Sequence, residues 1–323
     1  MAGKTFDISS WNGTKKKDEI VNDISEAEID EAFTVMDPNV IALCGKDSTC
    51  KSSIICDFAS NLPKDKKCLV FDMDGSINKI ISTHYPHLRD RFIVVSGTTC
   101  GDDYRRGLKI GMSAVKKTLE VNKGQFGLLA FEGVDRLKQR SFKMMLQAKN
   151  IPLEKIKYFG KKEDDTIKVS AEDWNLRNDY IIEAFELIYF YARDNGLDMI
   201  VTTHTEDKVN EKREIVKEDV PIWYKTFPDY ISYRFIIKRI DEYGTIKRIA
   251  LLEKTRGSPE LEGRKYTISK TTPGTGNDKS TTEFVGLYSQ IRDDFVLNMN
   301  EEHRINNSKA IAEGKTNGTV DKV

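Results

Sequence analysis

Gly45, Lys46, Asp47, Ser48, Thr49, Cys50, Lys51, Ser52 and Ser53 follow the apolar run Val40-Ile41-Ala42-Leu43-Cys44. A glycine, four residues and then Cys-Lys-Ser is the spacing of the phosphate-binding loop G-x-x-x-x-G-K-[ST], with Cys50 at the second glycine. The chemistry explains the spacing. A buried strand delivers the chain to a sheet edge, and the loop curls so that backbone N–H groups face a phosphate at a helix N-terminus. Lys51 would reach the β- and γ-phosphates and the Ser52 hydroxyl would bind Mg²⁺, so ATP and Mg²⁺ are the expected ligands. Cys50 departs from the pattern and is expected to fit at a negative φ, since only glycine takes a positive φ freely. The plainer alternative is a polar strand-to-helix turn.

Further carboxylates end apolar runs. Cys68-Leu69-Val70-Phe71-Asp72-Met73-Asp74 reads as a buried strand closing on two acids, and Phe126-Gly127-Leu128-Leu129-Ala130-Phe131-Glu132 as another closing on one. On a strand Asp72 and Asp74 would share a face, although Asp74-Gly75 also suits a simple turn. Buried Glu132 needs a partner, and a water on Mg²⁺ would be one; Asp72 and Ser52 complete the expected metal set. Asp135 is the substitute if Glu132 is structural. His204 closes Met199-Ile200-Val201-Thr202-Thr203, and a satisfied core or cap histidine is its bland reading. Lys254 and Arg256 would point the same way from a strand end, as a phosphate clamp or as the charges that blunt an exposed edge.

The elements that must position these groups alternate. Residues 53–60, 103–120 and 172–195 have helical spacing, and Phe92-Ile93-Val94-Val95 is a further short strand. The pattern predicts an α/β fold with a mainly parallel twisted sheet and helices on both faces, whose ligand crevice lies at the strand C-termini. Residues 1–37 read as a polar arm with one short helix, 38–270 as the core, 271–281 as a linker, 282–304 as a helix and 305–323 as a disordered tail. Trp174, Tyr180, Phe185, Ile188 and Tyr189 follow helical spacing, which favours core or subunit contact over a nucleobase platform.

The order of these motifs resembles the RecA/KaiC class of P-loop ATPases, especially archaeal KaiC-like and phage-encoded RecA-like proteins, over about residues 38–270. The resemblance implies a RecA-like core in which Asp74 is the catalytic acid that activates water. It also implies that Glu132 is the Walker B acid and that His204 ends the strand that reads the γ-phosphate. Ile249 to Ser258, with its Lys254-Thr255-Arg256-Gly257 ending, is similar to the KaiC-like strand whose cations reach the neighbouring subunit's nucleotide. Lys254 and Arg256 would then act in trans, in a hexameric ring or helical filament. The resemblance further implies single-stranded DNA and other DNA-processing proteins as partners. Loops 138–170 (Lys155, Lys157, Tyr158, Phe159, Lys161, Lys162) and 205–229 (Lys208, Lys212, Arg213, Lys217, Trp223, Tyr224, Lys225, Phe227) would make the DNA contact by stacking and phosphate pairing. A nucleotide-switched protein-binding scaffold and a degenerate nucleotide-binding protein are the alternatives.

Composition sets bounds on this reading. The 323 residues carry 51 Lys+Arg and 51 Asp+Glu, so the chain lacks the basic excess of a duplex-DNA binder. No apolar run approaches the ~18 residues of a membrane span, and no signal peptide opens the chain. Five cysteines without a C-x-x-C pair suggest reduced thiols and a cytoplasmic protein.

Overall fold

The central strand of the sheet is β1 (Val40–Gly45), and every one of its residues is buried. Such a strand is apolar on both faces because helices cover both. The computed structural model describes residues 37–98, 103–151, 170–211, 213–274, 280–295, 297 and 299. All fall within one compact unit, Asp37–Val323. The expected arm and helix at 1–36 and tail at 305–323 lie outside the described residues, as does the cationic stretch from Lys155 to Lys162.

After β1 the chain forms α1 (Lys51–Ser60), β2 (Lys67–Asp72), α2 (Ile77–His84), β3 (Phe92–Ser96), α3 (Tyr104–Val121), β4 (Phe126–Glu132) and α4 (Asp135–Ala148). Then come α5 (Ala171–Asp194), β5 (Asp198–Thr203), β6 (Thr205–Val209), β7 (Ile215–Pro221), β8 (Tyr233–Glu242) and β9 (Thr245–Thr255). The described chain closes with β10 (Lys265–Thr272), β11 (Thr281–Phe284) and α6 (Tyr288–Ile291). Nine strands form one sheet in the order β11-β10-β9-β8-β1-β5-β4-β2-β3. From β8 to β3 neighbouring strands are parallel. From β8 to β11 they are antiparallel. β6 and β7 form a separate hairpin.

The expected α/β class and mainly parallel sheet are therefore present. Period-2 alternation divides the core. Ile41, Leu43, Cys68 and Val70 face α1, α2 and residues 287–299. Val40, Ala42, Leu69 and Phe71 face α3, α4 and α5. Each large apolar side chain buried this way contributes roughly 1.5–3 kcal/mol. Four of the five cysteines, Cys44, Cys50, Cys56 and Cys68, are free thiols. Among the described residues no helix is long and apolar enough to cross a membrane.

The expected helix over 282–304 is a correction. Residues 281–284 instead add strand β11 to β10, and among the described residues the helix is limited to the four residues of α6. Gly286, at φ 81°, turns the chain between them, with its Cα against the Asp57 carboxylate. Asp57 on α1 accepts the N–H groups of Leu287 at 2.6 Å and Tyr288 at 2.8 Å. Leu287, Ile291, Phe295 and Leu297 pack as a short strap over the first face.

Candidate functional site

The loop between β1 and α1 is built by two unusual backbone conformations. Ser48 has φ 60° and Cys50 φ 69°, both left-handed. Cys50 therefore does not take the negative φ expected of it; it adopts the left-handed conformation that favours glycine. A left-handed non-glycine residue costs on the order of 1–2 kcal/mol. Gly45 is needed for space, since a Cβ there would lie 2.7 Å from both the Ile237 carbonyl and the Thr49 hydroxyl. Thr49 Oγ1 donates to the Lys46 carbonyl at 2.8 Å and braces the curl.

Lys51 is buried, and its ammonium donates to the carbonyls of Gly45 at 2.8 Å and Lys46 at 3.0 Å. Burial holds its pKa below the ordinary lysine value, opposed chiefly by the Glu132 carboxylate. Ser52 donates its hydroxyl to Glu132 Oε1. Glu132 ends β4 and is almost fully buried; its Oε2 has no hydrogen-bond partner. Burial pushes its pKa up to about 7, with the Ser52 bond acting the other way.

The remaining acids divide. Asp74, expected to continue strand β2, lies beyond it, and its Oδ1 accepts from Arg136 Nε at 2.9 Å. Gly133, at φ 77°, fits against Asp74, where a Cβ would come within 3.0 Å. Asp72 is not brought to the loop. Its Oδ1 accepts the N–H groups of Asp74 at 2.9 Å and Gly75 at 2.7 Å, so the carboxylate closes the turn after β2. Asp72 does not line the cavity, although it is level with Glu132 in the neighbouring strand.

His204 follows β5. Its Nδ1 lies 3.1 Å from Asp135 Oδ2 and its Nε2 lies 2.9 Å from Asp47 Oδ1, so it ties the helix after β4 to the loop. The Asp135 hydrogen bond raises the His204 pKa. Despite burial, the His204 bond holds the Asp135 pKa low. The charged pair is thus complete between Asp135's lowered pKa and His204's raised one, and breaks on either side. Lys46 reaches sideways to the β6–β7 hairpin, 2.7 Å from Asp207.

These groups surround a cavity of about 350 Å³ at the C-terminal ends of the parallel strands. Residues 47–53, Asp74, Glu132 and His204 line it. Three further lining residues have no signal in the motif pattern. Thr202 accepts the Gly133 N–H at 2.8 Å; Ser76 Oγ lies 3.5 Å from Glu132; Arg248 donates to the Ser48 carbonyl at 3.0 Å. Only the alternation of β9 could have brought Arg248 to notice. A wider, more open depression of about 830 Å³ lies among Asp103, Arg105, Met144 and Ile151, and none of the loop residues lines it.

Lys254 and Arg256 are not in the cavity. Thr255 pairs with Tyr233, which is level with Ile41 at the far end of β1. That is four residues below Gly45, roughly 13 Å at strand rise. Lys254 donates to the Pro228 carbonyl at 2.8 Å, and Arg256 is exposed. Of the aromatics expected in the 205–229 loop, Phe227 is withdrawn from solvent, while Trp223 and Tyr224 are half-buried. Phe227 is buried and stacks on Phe185 at 4.0 Å, and Trp223 and Tyr224 pack beside it. The α5 stripe from Tyr180 to Tyr189 is core, while Trp174 is 40% exposed.

The arrangement can bind an anion through backbone donors and two cations, and can hold a hard cation between a hydroxyl and a carboxylate. No protein-family model matches the sequence, and no curated protein matches it.

Proposed function

We propose that the loop at residues 45–53 binds a nucleoside triphosphate with Mg²⁺ and that the chain hydrolyses it as a RecA/KaiC-like ATPase. One observation carries this reading: the unpartnered, buried Glu132 Oε2 beside the Ser52 hydroxyl, at the foot of the loop that buries Lys51. An orphaned carboxylate oxygen in the interior is costly. Ser52 and Glu132 fit Mg²⁺, which protein side chains commonly hold through one or two oxygens, with phosphate and water supplying the rest. When bound, Mg²⁺ neutralises charge on the phosphate oxygens. Accordingly, no cluster of three or more His, Cys, Asp or Glu side chains suited to a metal is needed, and none occurs among the described residues.

The chain's own groups would do the rest. Loop N–H groups and the α1 N-terminus hold the phosphates. Lys51 exchanges its two loop carbonyls for phosphate oxygens. Asp74 orients water at the mouth, and its bond to Arg136 sets how far it reaches. His204, between Asp135 and Asp47, reports the terminal phosphate. Lys254 and Arg256, remote from their own chain's cavity, serve that of a neighbour in a ring or filament. Single-stranded DNA remains the proposed polymer.

A second reading has its own support. Asp74 is already paired and Phe227 after β5 is packed inward, both of which favour a nucleotide-switched, protein-binding scaffold with slow turnover. Calorimetric titration and phosphate release test both. Wild type is expected to bind ATP with Mg²⁺, and Lys51→Ala to lose tenfold or more in affinity. Asp74→Asn is expected to keep binding and lose one or more powers of ten in rate. Equal ATP affinity in wild type and Lys51→Ala rejects the site. A negligible rate that single-stranded DNA does not raise selects the scaffold.

A further inference from the structure

Arg248 is the second cation of the cavity, and nothing in the loop motif accounts for it. It comes from β9, in the antiparallel extension of the sheet. Strand order places β8, β1 and β5 between it and the Glu132 strand β4. Arg248 therefore occupies the flank of the cavity away from Glu132, His204 and Thr202. Its surroundings there are Cys50 and Ser48 of the loop and Ser269 of β10.

Its hydrogen bonds leave capacity. A guanidinium has five N–H donors. One goes from Nε to the Ser48 carbonyl at 3.0 Å and one from Nη1 to the Ser269 hydroxyl at 3.4 Å. Three remain. Among the described residues no carboxylate lies within 4 Å of this guanidinium, unlike Lys46, Arg136 or Arg234. A half-buried arginine that lines a cavity, is fixed at its Nε end and is free of a counter-ion is arranged for an anion.

Given the nucleotide reading above, on which this rests, we propose that Arg248 contacts the part of the nucleotide shared by ADP and ATP, pairing with the phosphate nearest the ribose. Glu132, Lys51 and His204 would meet the opposite, terminal end. Arg248 also braces the left-handed Ser48, so binding and loop shape are joined through one side chain.

Calorimetry with unlabelled ADP and ATP in Mg²⁺ separates these roles. Arg248→Gln keeps a donor for the Ser48 carbonyl and removes the charge. It is expected to weaken ADP and ATP about equally, near tenfold, the scale of a charge-assisted contact. Arg248→Lys is expected to remain within threefold of wild type. Lys51→Ala should penalise ATP more than ADP. If Arg248→Gln binds both nucleotides like wild type while Lys51→Ala does not, Arg248 only braces the loop and the proposal fails alone. If wild type binds neither nucleotide, the nucleotide reading fails and takes this one with it. A measurement on wild type guards against misfolded variants: saturating ADP should shield Arg248 from phenylglyoxal, read by mass spectrometry. Equal modification with and without ADP overturns the proposal.

Discussion

Glu132 shows how a single side chain can report on its site. Its carboxyl is buried beside Ser52, and burial pushes its pKa up to about 7. In the unfolded chain it would titrate at the ordinary glutamate value. Between the two values the folded protein holds a proton that the unfolded chain has released, so this group's contribution to stability falls as pH rises through that window. Glu132→Gln removes the buried charge. It should therefore be more stable than wild type at pH 8, by on the order of 3 kcal/mol at about 1.4 kcal/mol per pKa unit, and match wild type near pH 4. Thermal melts without nucleotide across that range check the sign. Added Mg²⁺ and ATP should narrow the gap at pH 8, since only wild type retains a carboxylate to pair.

At the scale of elements, the loop and its strands were legible, and of the extension only the run from Ile249 that lies in β9 was. The run from Val40 to Cys44 and the acid-ended run from Phe126 to Glu132 are strands because uninterrupted apolar residues of that length suit a sheet covered on both faces. β8 and β10 carry Arg and Lys among apolar residues, which leaves no clean apolar run to mark them as strands. Sequence alternation does not reveal that the Asp72 carboxylate accepts the N–H groups two and three residues on. Cys50 offers a clean test of loop shape. Cys50→Ala and Cys50→Gly both remove the thiol, and only glycine relieves the positive φ. The alanine variant should unfold about 1 kcal/mol more easily than the glycine variant; equal urea midpoints would mean that the loop relaxes. Asp57→Ala, which strips the partners of Leu287 and Tyr288, should cost about 2 kcal/mol and expose residues 285–295 to limited proteolysis.

At the scale of the whole molecule, Lys254 and Arg256 stand at the end of the sheet opposite the cavity, so one chain cannot bring them to its own loop. If they serve a neighbour, the rate per subunit should rise with protein concentration. Mixing Arg256→Ala with Lys51→Ala subunits should recover part of the activity that each lacks. Absence of recovery, with a rate independent of concentration, would show that each chain's site is complete.

The order of strands also governs how the chain can be made. β1 sits between β5 and β8, yet Val40 pairs with Met199, and Asn39 bonds Asp198 at a sequence separation of 159. At about 5–20 residues per second of synthesis, the central strand leaves the ribosome roughly 8–30 s before its first sheet neighbour. Through that interval a fully apolar segment has both edges open, which is the condition under which nascent chains pair with each other. The residues most deeply enclosed in the finished protein are thus the most exposed during its birth, and truncations that end before β5 should collect as aggregates rather than as soluble fragments.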